Sequence, residues 1–145
     1  MAASQSEQSL QQGNVAIART LMANFNMKTW FDLLHDDLVL EFPFAASIGM
    51  PARIEGKADC VAYLNKVMEA LPDLVFRDVD INPMPDPERV VIEYKGGSGT
   101  AFGHYENVYV VFQKFRGGKM ILFREYWNTK PVIDTFGANP SAAFV

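Results

Sequence analysis

The sequence predicts an α+β fold, with N-terminal helices packed on one face of a curved, mainly antiparallel sheet. Two observations carry this prediction. Before residue 72, apolar residues recur at helical spacing; after it, the period changes to two over four successive strand-like segments. Helices followed by a run of strands segregate into two layers. Such layers enclose a cone between helix and sheet, and that cone is the expected pocket.

The first helix runs from about Glu7 to Asn24, where Leu10, Val15, Ile17, Ala18, Leu21 and Met22 repeat at helical spacing. A short second helix fits Lys28 to His35, packing through Trp30, Phe31, Leu33 and Leu34. DDLVLEFPF then reads as a strand stopped at Pro43, and Ala45 to Gly56 reads as a loop. Lys57 to Leu71 is a third helix, ended by Pro72. LVFRDVDI, RVVIEYKG, HYENVYVVFQKF and KMILFREYWN are the four strands. MPDP is a turn, GGSGTAFG a longer irregular bend, and RGG a tight hairpin loop. KPVIDTFG forms one short closing helix.

At 145 residues the chain is one domain, expected to span 1–145 with a flexible tail at 1–6. Its 49% hydrophobic and 21% charged content is that of a globular protein. A net charge of −4 and scattered basic residues give no general attraction to nucleic acid or to an anionic membrane. No apolar run reaches membrane-spanning length, and MAASQSEQSLQQG lacks an apolar signal core, so a cytoplasmic location is expected. Cys60 is the single cysteine, and His35 and His104 are the only histidines. No internal disulfide, metal centre or cofactor is therefore expected. GGSG lacks the strand–loop–helix context of a phosphate-binding loop.

The segment ILFREYWN places a glutamate between two aromatic residues. Successive side chains of a strand point to opposite faces, so Ile121, Phe123, Glu125 and Trp127 share one face. Leu122, Arg124, Tyr126 and Asn128 share the other. A carboxyl held between aromatic rings has its charged form disfavoured, and its pKa rises toward the range useful for proton transfer.

LPDLVFRDVDI, DPERVVIEYKGGSG, HYENVYVVFQKFRGGKM and REYWN, in that order and spacing, resemble the phenazine-biosynthesis A/B proteins. The order of elements resembles the wider nuclear-transport-factor-2-like (cystatin-like) superfold, a cone of helices on a curved mixed sheet. That superfold includes ketosteroid isomerases, limonene epoxide hydrolases and SnoaL-like polyketide cyclases. The resemblance implies that Glu125 matches the acid/base glutamate of the REF-type motif, and that Tyr105 matches the ligand-contacting tyrosine of the YEN motif. An acid at the place of Glu125 also takes part in catalysis in epoxide hydrolases of this fold. Other matches fail. The assisting histidine of the phenazine proteins falls near Tyr63, and a ligand-contacting serine near Val67. The ketosteroid-isomerase base falls at Phe42, which accepts no proton, and the isomerase's oxyanion acid at Val110 or Val111. Steroid isomerisation by that apparatus is not expected.

The hairpin loop sets the register of Glu125. A two-residue Gly117-Gly118 turn places it opposite Val110, on the face of Val108 and Phe112. A three-residue Arg116-Gly117-Gly118 loop places it opposite Tyr109, on the face of Tyr105, Asn107 and Trp127. The resemblance favours the second, and so does the need of a buried carboxyl for polar partners. Glu125 and Tyr105 are then candidate catalytic residues, and Asn107, Tyr109, Phe123, Trp127, Tyr63 and Phe42 candidate pocket residues. His104 is expected at an exposed rim and Cys60 in helix packing. The opposite face (Val108, Val110, Phe112, Leu122 and Tyr126) is expected to bury against a second copy in a homodimer, with Arg124 paired to Glu106 or to the partner. The leading function is a cofactor-independent isomerase, cyclase or dehydratase (lyase) moving a proton on a small apolar or aromatic substrate. A non-catalytic binder of hydrophobic ligands and a protein-interaction module are the alternatives.

Overall fold

The computed structural model describes residues 3–144 and contains four α-helices and six strands among them. The helices are α1 (Gln5–Ala23), α2 (Met27–Trp30), α3 (Lys57–Ala70) and α4 (Thr129–Phe136). The strands are β1 (Leu34–Glu41), β2 (Arg53–Glu55), β3 (Val75–Pro83), β4 (Arg89–Thr100), β5 (Gly103–Arg116) and β6 (Lys119–Trp127). They form one sheet in the order β2-β1-β6-β5-β4-β3. Only the β1–β6 pair is parallel, so the sheet is mixed and mainly antiparallel. Among the described residues no helix is long and apolar enough to cross a membrane.

Residues 1 and 2 of the expected tail lie outside the described residues, while Gln5 and Ser6 are already helical. The reason is a cap: the Ser4 hydroxyl accepts the Glu7 backbone N–H at 3.2 Å, satisfying one of the free amides at the helix start. Asn26 caps α2 in the same way through the Thr29 N–H at 2.8 Å. The second helix is shorter than its spacing predicts. It ends at Trp30, a 3₁₀ turn covers Phe31–Leu33, and His35 already belongs to β1. Trp30 is buried and donates its indole N–H to the Leu21 carbonyl at 2.9 Å, tying α2 under α1. Leu34, Leu38 and Leu40 are then buried from a strand beside β6, not from a helix face.

The predicted bend at GGSGTAFG is also corrected. β4 continues through Gly96, Gly97, Ser98 and Gly99 to Thr100, and the turn is only Ala101-Phe102, since Thr100 pairs with Gly103. The glycines serve close packing. A Cβ on Gly96 would lie 3.1 Å from the Tyr109 ring and 3.3 Å from Leu74 Cδ1. The long β4–β5 ribbon thus carries its inward row, Tyr105, Asn107, Tyr109, Val111, Gln113 and Phe115, buried along its whole length. Helix α1 lies against β3 and β4, α3 against β1, and α4 against β5.

The β5–β6 turn differs from the expected three-residue loop. Arg116 pairs with Lys119 around a two-residue Gly117-Gly118 turn, with φ of 59° and 76°, the left-handed values that a tight hairpin turn takes. One pair later the register slips: Phe115 faces Met120 but Lys114 faces Leu122, leaving Ile121 as an extra residue in β6. Glu125 therefore lies opposite Val111, and Trp127 is the residue opposite Tyr109.

Candidate active site

The cavity lies between the inward sheet face and helices α3 and α4. Its walls are mostly apolar, including Trp30, Phe42, Leu64, Val67, Phe76, Phe123, Trp127, Val132, Phe136 and Phe144. The polar groups on them are Tyr63, Tyr105, Tyr109 and Glu125. The cavity leaves about 80 Å³ for the centres of water-sized molecules. One water needs roughly 10–15 Å³ on that measure, so several waters or a small organic molecule fit.

Glu125 stands on β6 between Phe123 and Trp127, deep in the protein but with its carboxyl surface fronting the cavity. Its one hydrogen-bond partner among the described residues is the Tyr94 hydroxyl, which donates to Oε2. Tyr94 lies on β4 and reaches Glu125 diagonally across β5, because Tyr94, Tyr109 and Trp127 form one cross-strand row and Val111 and Glu125 belong to the next. The Tyr94 ring is fixed on two sides. It stacks on Tyr109 at 4.9 Å between centroids, 7° from parallel, and meets Phe76 edge-on at 5.1 Å. Burial raises the Glu125 pKa from 4.5 to about 7, and the Tyr94 hydrogen bond only partly opposes this. The partial exposure of Glu125 is consistent with that rise, since its open surface faces an apolar cavity and not bulk water.

A second polar unit faces the same cavity. Tyr105 and Tyr109, four residues apart on β5, place their hydroxyls 2.9 Å from each other. Asn107 Nδ2 donates to the Tyr105 oxygen and to the Asn128 carbonyl, both at 2.8 Å. Its Oδ1 accepts the backbone N–H groups of Val108 at 2.8 Å and Asn128 at 3.2 Å. Burial pushes the Tyr105 hydroxyl up to about 12, and burial followed by the Glu125 charge does the same for Tyr63. Tyr94 and Tyr109 lie well above the usual phenol value, chiefly through burial. All four phenols remain protonated at neutral pH, and each is a donor.

Residues 15–123 match a family model described as a SnoaL-like domain. The chain belongs to the SnoaL-like family. An uncharacterised PhzA/B-like protein of Pseudomonas aeruginosa is 31% identical over 125 residues, covering 85% of this chain and 87% of that relative. A phenazine biosynthesis-related protein (PhzB2) of the same species has a solved structure that superposes with a TM-score of 0.80 at 19% identity, covering 90% of this chain and 88% of that one. An NTF2-like protein of Burkholderia xenovorans LB400 gives a TM-score of 0.69 at 20% identity, covering 86% and 95%. The nuclear-transport-factor-2-like fold is thereby shown.

In this SnoaL-like protein Glu125, Tyr105, Tyr109, Phe123, Trp127, Tyr63 and Phe42 all line the cavity. Phe42 and Tyr63 pack together at 5.7 Å between ring centroids. Asn107 does not line it; the residue is buried behind Tyr105 with its amide fully engaged. His104 is exposed and Cys60 is buried in α3. Arg124 does not pair with Glu106. It meets Glu41, its cross-strand neighbour on β1, at 2.6 Å, while Arg77 holds Glu106 through two bonds of 2.9 and 2.7 Å. Sequence reasoning missed apolar walls such as Trp30, Phe76, Val132 and Phe136, and it missed Tyr94, the partner of Glu125. Its signal was the alternation Val90, Ile92, Tyr94 in RVVIEYKG, which puts the tyrosine on the buried face.

Proposed function

We propose that the cavity performs cofactor-independent proton transfer on a small apolar or aromatic substrate, with Glu125 as the acid/base group, in a reaction of the isomerase, cyclase or lyase kind. The supporting observation is a carboxyl buried in an apolar cavity, with a phenol for its partner and a pKa near 7. A general base works best when its pKa lies near the operating pH, because it is then ionised often enough to act and basic enough to take a proton. Tyr94 fixes the carboxylate through Oε2, and Oε1, with no hydrogen-bond partner among the described residues, is the oxygen left for a substrate C–H or O–H. The phenols of Tyr63, Tyr105 and Tyr109 are positioned to stabilise negative charge that develops on a substrate oxygen.

The test is a panel of enolisable carbonyl compounds incubated with the protein in D₂O, read by mass spectrometry for solvent deuterium uptake. Wild type is expected to catalyse exchange with at least one member. Glu125→Gln should lose roughly 10²–10⁴-fold in rate while still binding the compound. Tight binding with no exchange anywhere in the panel would reject the enzyme reading and leave a hydrophobic-ligand binder.

We also propose that the outer sheet face pairs with a second copy of the chain. Val108 is 56% exposed there, beside Val110, Phe112, Leu122 and Tyr126. Edge-on contacts of Tyr126 with Phe44 and Phe112 extend the apolar patch, which suits a mainly apolar twofold interface.

A further inference from the structure

The protons around Tyr105 can be counted. The Asn107 Oδ1 accepts two backbone N–H groups, which fixes the orientation of the amide and makes Nδ2 the group that faces Tyr105. The Tyr105 oxygen is therefore an acceptor from Asn107. If Tyr105 donates to Tyr109, the Tyr109 proton has no acceptor among the described residues; if Tyr109 donates to Tyr105, the Tyr105 proton has none there. In either arrangement the pair keeps one phenolic proton unused, on two residues that both line the cavity. Tyr63 lines the same space, and its hydroxyl has no hydrogen-bond partner among the described residues. Among the described residues no lysine, arginine or histidine lines the cavity, and its one charged side chain is Glu125.

From this inventory we infer that the site selects uncharged molecules carrying a hydrogen-bond acceptor oxygen, such as a ring-bearing ketone or ester, and excludes carboxylates. The acceptor oxygen takes the unused proton of the Tyr105–Tyr109 pair while the apolar part fills the Phe123–Trp127 wall. A carboxylate ligand would enter a space without a countercharge and stand beside a second carboxylate, and uncompensated buried charge is strongly penalised. This inference deepens the proposed acid/base reading by naming its substrate class, and it rests on that reading only for the chemistry. The binding preference follows from the donors and the missing cation alone.

The experiment compares three single-ring probes of similar size by calorimetry at pH 8, where Glu125 is mostly ionised: acetophenone, ethylbenzene and benzoate. Acetophenone should bind best. Ethylbenzene, which lacks the acceptor, should bind roughly threefold to tenfold more weakly, and benzoate more than roughly a hundredfold more weakly. In Tyr63→Phe/Tyr105→Phe/Tyr109→Phe, checked for native circular dichroism, acetophenone and ethylbenzene should bind alike. Benzoate binding as tightly as acetophenone, or acetophenone failing to exceed ethylbenzene in wild type, overturns the inference without reference to any variant. Deuterium exchange is read separately. Preference for acetophenone with no exchange anywhere in the carbonyl panel upholds the ligand class and rejects catalysis, whereas exchange with a carboxylate substrate rejects the ligand class and upholds Glu125 as the base.

Discussion

A buried carboxyl with a raised pKa makes folding depend on pH in a calculable way. In the folded protein Glu125 titrates near 7, against 4.5 for the exposed group of an unfolded chain. Between those values the native state holds a proton that the unfolded chain has released. Stability changes with pH as the difference in bound protons, unfolded minus native, so it falls as pH rises through this window. The contribution is fully present below pH 4.5 and is lost once pH passes 7. Each tenfold displacement of an ionisation constant is 1.36 kcal/mol, so the move from 4.5 to about 7 amounts to about 3 kcal/mol. Water in the cavity would solvate Oε1 and lower that figure, which makes it an upper bound.

Glu125→Gln isolates the effect, because the amide keeps the shape and does not titrate. Urea unfolding of both proteins should be followed from pH 4 to pH 8, and the difference between them plotted. Every other ionisable group is common to both proteins and cancels. The variant should gain on wild type by up to about 3 kcal/mol between the two ends, a large share of the roughly 5–15 kcal/mol that holds a domain folded. Curves that stay parallel within about 0.5 kcal/mol across the range would refute the reasoning. They would mean that Glu125 stays ionised in the folded state, and its fitness as a neutral-pH acid/base would go with it.

Other substitutions test the surroundings. Tyr94→Phe removes the donor that holds the Glu125 pKa down, so the carboxyl should titrate at still higher pH, visible in its ¹³C chemical shift and as an alkaline displacement of any pH–rate profile. Gly96→Ala forces a methyl against the Tyr109 ring and should cost roughly 1–3 kcal/mol in thermal or urea unfolding. Gly97→Ala drives a methyl into the Glu106 carboxylate that Arg77 holds through two bonds, with the Tyr105 carbonyl 3.2 Å away, and should cost at least as much as Gly96→Ala. Val110→Lys places charge on the outer sheet face, and light scattering should show a dimer for wild type and a monomer or aggregate for the variant.

The layers of the fold were legible because the periodicities are strong. Val90, Ile92 and Tyr94, and Tyr105 to Phe115 in steps of two, are buried as the alternation requires. The errors have local causes. GGSG reads as a bend because glycine usually marks turns, yet here Gly96 is used for its missing side chain under Tyr109. The second helix reads too long because Leu33 and Leu34 fit helical and extended spacing alike, and pairing of β1 with β6 decides between them. Phe42 and Tyr63 could be assigned to the pocket from the resemblance alone; nothing in their own neighbourhoods distinguishes cavity wall from core.

The orientation of Glu125 shows why a site can be less legible than the fold that holds it. With a two-residue Gly117-Gly118 turn and a regular ladder, Glu125 would lie opposite Val110 and point to the outer face. The turn is indeed two residues, and Glu125 nevertheless points inward. The difference is the extra residue at Ile121. Met120 and Phe123 are both buried, at 0% and 4% exposure, and three residues apart, a spacing that a regular strand puts on opposite faces. Both can point inward only if one residue between them bulges, and every side chain beyond the bulge then changes face. Burial of Met120 beside Phe115 at the hairpin end thus aims Glu125 into the cavity at the other end of the strand. KMILF carries no turn residue or glycine at which to expect such a slip, since its cause lies in the packing of two apolar side chains. The face of the acid/base candidate is therefore a property of the assembled core, set at Ile121, near the other end of the strand from the chemistry it serves.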